Sequence, residues 1–325
     1  MRPRIGLDGD ALRANAAAFA ALGAPVAAVV KHDGYGWGAR RLARELDAVV
    51  ESYVVADDEE LAALRPATRK PVRLLADAPP GRLGRVLDLG GIPNVCSREA
   101  LAEAGAQAAR RGGLTVRIGI LDAAGWSAIR PQDAPAFAAA AAAAGPGLAV
   151  ELWTHVTSAA RAGAILDEFL AAVRAFEAAG VRVVATDAAS TASARRGLAF
   201  DRLRIGVGLF GSRQGSSVDN RCALRVVAPV VRRFGPGETG WAGYGDVAVG
   251  PNRSVAVLRC GYGDGFPRAL ADGADILAVG MQYTARVSHD GADARVLIGS
   301  ADDVDELAAR AGVSPHELVV GLAWQ

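Results

Sequence analysis

Between about residue 25 and residue 207, eight short apolar runs alternate with Ala- and charge-rich stretches of helical length, and this alternation constrains the fold more than any other feature. A strand that reaches its neighbour through a helix returns parallel to it, because the crossover carries the chain back along the sheet face. The predicted strands are Pro25 to Val30, Ser52 to Val55, Val72 to Leu75, Ile92 to Val95, Thr115 to Ile120, Ala149 to Leu152, Val181 to Ala185 and Arg202 to Ile205. Eight is the number that closes a (βα)8 TIM-like barrel.

Past Gly206 the texture changes. Leu224 to Val231, Val247 to Val249, Ser254 to Arg259, Ile276 to Val279, Tyr283 to Val287 and Arg295 to Ile298 read as strands parted by Gly, Asp and Pro turns. An α/β chain is therefore expected, with a barrel over 1–221 and a second, C-terminal mostly-β domain over 222–325. Asp302 to Ala311 predicts a helix, and Ser314, Pro315 and Glu317 the start of another. Near the N-terminus, Asp8, Asp10 and Arg13 interrupt an Ala-rich run, which reads as an amphipathic helix and neither a secretory leader nor a membrane span.

Charge narrows the function classes. A formal net charge of +1 from interspersed residues of both signs gives no footprint for nucleic acid or a membrane surface. The three cysteines, Cys96, Cys222 and Cys260, are far apart and odd in number, as expected of reduced thiols in a cytoplasmic protein. The four histidines show no ligand spacing, so no metal site is expected.

Barrel chemistry gathers where strands end, so the residues just after each strand matter most. Lys31 follows the first strand in Val29-Val30-Lys31-His32-Asp33-Gly34-Tyr35-Gly36-Trp37-Gly38. An amine emerging from an apolar strand into a barrel mouth is placed for desolvation, which lowers its pKa and favours Schiff-base chemistry with an aldehyde cofactor. Thr191 and the amides of Gly206 and Val207 suit a phosphate cradle, with Ser190 beside them. Arg204 reads equally as a structural ion-pair partner or as a group facing a cofactor, and His155 as a barrel histidine placed to pack against a ring.

These residues resemble the alanine racemase family, the fold-type III pyridoxal-phosphate enzymes. The resemblance runs from Ile5-Gly6-Leu7-Asp8 to Asn15, through the Lys31 motif, Thr154-His155, Asp187 to Thr191 and Arg204 to Gly211, to Cys260-Gly261-Tyr262-Gly263-Asp264-Gly265-Phe266-Pro267-Arg268. It implies that Lys31 binds the cofactor aldehyde covalently and that Tyr35 lies near the phosphate. Ser190, Thr191, Gly206 and Val207 complete the cofactor contacts, His155 packs by the ring, and Arg204 faces the pyridine nitrogen. It further implies a head-to-tail homodimer in which Tyr262 of one subunit completes the site around Lys31 of the other. Racemisation takes the α-proton of an amino acid from one face and returns one to the other, so two bases are needed, and Lys31 and Tyr262 are the expected pair. Tyrosine near pKa 10 is a poor base, so a neighbouring positive group or hydrogen bond is expected to ease its ionisation.

The sequence also departs from the family pattern. His32, Gly34 and Trp37 replace the usual residues of the lysine motif. The segment Thr115 to Ser127 lacks the family's carboxylate-binding arginine, with no arginine between Arg117 and Arg130; Arg117 is the candidate substitute for the family's carbamylated lysine and a substrate contact. One lost charge-assisted contact is worth roughly 1.5–3 kcal/mol. His289 stands where a methionine is usual, its backbone amide a candidate for the substrate carboxylate. The sequence ends at Trp324-Gln325 without the family's phosphate-binding tyrosine, which predicts weaker cofactor retention. The expected activity is interconversion of L- and D-alanine; the alternatives are racemisation of another amino acid or a cofactor carrier with little turnover. A decarboxylase of the same barrel class fits less well, because it places an acidic residue where this chain has Arg204.

Overall fold

The computed structural model describes all residues except 1, 80, 122–126, 157–159, 195–199, 246, 289–290 and 324–325. Strand β1 is Arg4–Leu7, and the barrel strands are β2 (Val26–Val29), β3 (Ser52–Val55), β4 (Val72–Asp77), β5 (Gly91–Asn94), β6 (Leu114–Gly119), β7 (Leu148–Trp153), β8 (Arg182–Asp187) and β9 (Leu203–Ile205). They form one eight-stranded sheet in the order β8-β7-β6-β5-β4-β3-β2-β9, with every pairing parallel. A bridge between Ala189 and Leu203, with Arg204 N donating to Ala189 O at 3.1 Å, joins the two edges and nearly closes the barrel. All eight predicted strands lie within two residues of their expected bounds.

The second domain holds β10 (Leu224–Phe234), β11 (Gly240–Ala242), β12 (Val247–Val249), β13 (Val255–Leu258), β14 (Ile276–Val279), β15 (Thr284–Val287) and β16 (Ala294–Ile298). Its main sheet runs β1-β10-β13-β15-β14 with β16 also on β10, and β11 and β12 form a separate hairpin. The first strand was not foreseen. Arg4–Leu7 pairs antiparallel with Leu224 to Val227, so the chain begins in the second domain's sheet and only then enters the helix Gly9–Ala20. That helix starts where the Asp8 carboxylate accepts from Ala11 N at 3.1 Å, an ordinary N-cap.

Two features lock the domains together. Buried Asn15 donates to the carbonyls of Leu209 (2.9 Å) and Arg221 (2.8 Å) and accepts from Arg221 N (2.8 Å), so one amide fastens the first helix to the inter-domain connection. A continuous apolar core runs from Phe19, Ile205 and Phe210 in the barrel to Val226, Leu258 and Phe266 in the β domain. Each such fully buried side chain contributes ~1.5–3 kcal/mol. The closing helices Val304–Ala311 and Pro315–Ala323 follow the prediction, the second opening with a reciprocal cap in which Glu317 N donates to Ser314 Oγ (3.2 Å) and Ser314 N to Glu317 Oε2 (2.8 Å). No helix among the described residues is long and apolar enough to cross a membrane.

Candidate active site

At the carboxyl ends of the strands lies a cavity of ≈ 450 Å³, within the size range of small-molecule sites. Lys31, Tyr35, His155, Ser190, Thr191, Arg204, Gly206 and Val207, singled out from four separate segments, all line it. The barrel brings them together because each follows or ends a strand of one nearly closed sheet.

The turn after β2 sets the lysine. His32 (φ 52°), Asp33 (φ 48°), Gly34 (φ 67°) and Tyr35 (φ 59°) form a left-handed helical turn, a conformation that costs about 1 kcal/mol or more for each non-glycine residue. Polar contacts hold it: His32 N donates to Glu60 Oε1 (2.6 Å) and Ala39 N to Asp33 Oδ1 (2.8 Å). Gly34 is required there, because a Cβ would lie 2.8 Å from Leu42 Cδ1 in addition to the strained φ. The turn points Lys31 into the cavity and folds the Tyr35 ring beneath it, where burial pushes the phenol's pKa up. A methyl built on Gly206 would overlap the Tyr35 hydroxyl, so the absence of a side chain at Gly206 is what brings that hydroxyl against the backbone. Gly208 N donates to Thr191 Oγ1 at 3.2 Å and ties the last two strand-end loops together.

Arg204 is buried in the floor. Its guanidinium donates to the carbonyls of Thr154 (2.5 Å) and Asp187 (3.3 Å), pairs with the Asp187 carboxylate, and lies 5.0 Å from the Trp153 ring. Arg204 Nη2 is also 3.5 Å from His155 Nδ1. Burial first, then the charges of Arg204, Lys31 and His316, drives the His155 pKa down to about 3, so this ring is neutral at physiological pH.

Arg117 does not reach the cavity wall. It is fully buried one layer deeper, donating to both oxygens of Asp187 (3.0 and 3.3 Å) and to Leu74 O (3.3 Å), 5.2 Å from the Trp153 ring. Burial lowers its pKa to about 9, still cationic at neutral pH. Its position is beneath Arg204, where it shares the Asp187 carboxylate that orients Arg204. Arg117→Ala strips one partner from a buried ion pair, and we expect a loss of roughly 3–5 kcal/mol in unfolding free energy by denaturant titration. Full stability together with full turnover would leave Arg117 without a role. Arg130, the next arginine, is exposed and paired with Asp133 at 2.9 Å. His289 and residues 122–126 lie outside the described residues.

Tyr262 sits on the turn Tyr262–Asp264, which is pinned by Gly261 N and Arg259 Nη1 donating to Asp264 Oδ2 (3.0 and 2.7 Å). It does not line the cavity of its own chain. It is 39% exposed, next to the exposed side chains Tyr244 and Met281, and its hydroxyl is 2.8 Å from that of Tyr244. The shared hydrogen bond runs against the expected easing of ionisation. It pushes Tyr262 up and Tyr244 down, Tyr244 being further helped by the Met281 N–H at 3.1 Å, while nearby Arg268 lowers both only weakly. Sequence reasoning missed Tyr244, and also Gln214 and His316, which line the cavity beside the predicted set. Among the described residues there is no cluster of three or more metal-ligating side chains.

The chemistry of the cavity fits pyridoxal phosphate. Its described lining offers a primary amine, a guanidinium, hydroxyls and backbone amides and includes no carboxylate, which suits an anionic aldehyde. A parallel barrel with a lysine at its mouth, joined to an antiparallel β domain, is the architecture expected of the resembled pyridoxal-phosphate family. Residues 7–214 match the family described as alanine racemase, N-terminal domain. The alanine racemase of Desulfovibrio desulfuricans is 30% identical, over 90% of this chain and 87% of that protein. In structure, the alanine racemase of D-cycloserine-producing Streptomyces lavendulae superposes with a TM-score of 0.80 at 23% identity, covering 99% of this chain and 95% of that one. That of Bartonella henselae, solved with covalently bound pyridoxal phosphate, gives 0.76 at 19% identity over 99% and 97%. The chain belongs to the alanine racemase family.

Proposed function

We propose that this protein interconverts L- and D-alanine in a head-to-tail homodimer, with Lys31 of one subunit and Tyr262 of its partner as the two bases. The observation that carries this reading is the separation within one chain. Of the two proposed bases the cavity holds Lys31, while Tyr262 stands on an exposed aromatic surface with Trp241, Tyr244, Met281 and Tyr283. Exposed apolar patches of this kind mark association sites, and a twofold dimer presents each subunit's patch to the other.

Bound pyridoxal phosphate acidifies the α C–H of the amino acid it holds by drawing electron density toward its ring. Lys31 anchors the cofactor and, once released, its Nζ moves the α-proton on one face. The Tyr262 Oη of the partner subunit moves the proton on the other. Tyr35, Ser190, Thr191 and the amides of Gly206 and Val207 hold the phosphate. Burial and the nearby Arg117 charge push the Arg204 pKa well below the ordinary guanidinium range, but its pairing with Asp187 and its donation to the Thr154 carbonyl favour the cation, so Arg204 would serve the cofactor's ring nitrogen as a donor. A guanidinium donor in that place would leave the nitrogen unprotonated and the cofactor a weaker electron sink, which would suit simple proton exchange. His289 is proposed as a backbone contact for the substrate carboxylate. The unpaired thiols at Cys96, Cys222 and Cys260 support a reducing compartment, the cytoplasm.

Mixing two inactive variants tests the arrangement. When Lys31→Ala and Tyr262→Phe proteins are co-refolded, about half of the dimers are mixed, and each has one site carrying both changes and one intact site. About a quarter of wild-type racemisation is therefore expected, read as conversion of one enantiomer into the other over a panel of L- and D-amino acids with alanine fastest, since neither parent retains both bases in one site. No recovery on mixing would sink the shared site. Carbon dioxide release would sink the racemase reading.

A further inference from the structure

We infer that His316, oriented by Gln214, is a binding residue for the cofactor's phosphate, delivered to the barrel mouth by the last helix. The assignment rests on the pyridoxal-phosphate reading of the cavity, but the family resemblance gives neither residue a role. Both line the cavity with Lys31 and Tyr35, although His316 lies in the helix Pro315–Ala323 at the far end of the chain. The His316 ring packs against Tyr35 with ring centroids 6.0 Å apart, placing it at the end of the cavity where the Tyr35 hydroxyl meets Gly206.

The helix is held there by the unusual Trp37. Its indole Nε1 donates to Val319 O at 3.0 Å in a buried contact, so the loop that carries Lys31 also carries the anchor for His316. Gln214 adopts φ 46°, a strained conformation for a non-glycine residue, and its Nε2 lies 3.5 Å from His316 Nδ1. The Gln214 amide donates to Nδ1, which leaves the ring proton on Nε2 as a donor for an anionic oxygen. Burial and the nearby Lys31 charge favour the neutral ring until an anion arrives. His316 and Gln214 thus complete a cradle otherwise made of hydroxyls and amides.

The test compares two cofactor forms. Wild-type, His316→Ala and His316→Gln apoproteins are titrated with pyridoxal phosphate and with pyridoxal, reading the visible band of the lysine-bound aldehyde and the 31P resonance of the bound phosphate. His316→Ala should weaken pyridoxal phosphate about tenfold and shift the 31P signal while leaving pyridoxal affinity unchanged, and His316→Gln, which keeps a donor, should recover most of the loss. Gln214→Glu, on the half-exposed loop and away from the core, should likewise weaken the phosphate form alone by about tenfold or more, by setting a carboxylate beside it. Equal losses for both aldehydes, or no loss, would overturn the assignment. A wild-type protein that forms no visible band with either aldehyde would overturn the cofactor site and this role with it.

Discussion

Replacing Lys31 with alanine is expected to abolish the visible absorption of the bound cofactor and to lower racemisation by on the order of 10⁴-fold or more, the largest effect at any position. Two functions disappear together, the covalent anchor and one of the two bases. Lys31→Arg should fare no better, because a guanidinium retains the charge at this position but neither attacks an aldehyde nor gives up a proton near neutral pH. The comparison separates chemistry from electrostatics. A Lys31→Arg protein that keeps the band would show that charge alone holds the cofactor, and that another amine in the chain carries it. Neighbouring groups leave little room for a substitute. His155 is held neutral, and Arg204 is committed to Asp187 and the Thr154 carbonyl.

Tyr262→Phe is expected to keep the band but to lose α-hydrogen exchange from one enantiomer by roughly 10²–10⁴-fold, because only the base on one face is removed. Folding should be untouched. Tyr262 is partly exposed, its hydroxyl bonds to that of Tyr244, and surface substitutions of this type stay within about ±0.5 kcal/mol. The enantiomer that still exchanges identifies the face served by Lys31. Unchanged racemisation in both directions would end the two-base assignment while leaving the fold and the cofactor site intact.

Much of the architecture is legible in the residues because its causes are local. Apolar runs parted by helical stretches marked all eight barrel strands, and Lys31, His155, Thr191 and Arg204 stood out because each ends or follows a run. The left-handed turn at His32 to Tyr35 was not legible, since no local preference asks a histidine and an aspartate to adopt positive φ. Packing of Tyr35 and capping by Asp33 impose it. Strand β1 was missed for a similar reason. Four residues, Arg4–Leu7, carry no periodicity of their own, and their pairing with the long strand more than two hundred positions later makes them a strand.

The sequence alone determined the order of elements, the barrel, the β domain after it and the residues at the strand ends, because hydrophobic spacing and turn chemistry act over a few residues. Tertiary structure decided what those residues do to one another. It buried Arg117 under Arg204 against a shared Asp187, left Tyr262 on an outer surface beside Tyr244, and brought His316 to Lys31 through a Trp37–Val319 contact spanning 282 positions. Such contacts arise only when a closed sheet brings distant segments into one small volume, where burial and Coulomb forces then set charge and orientation.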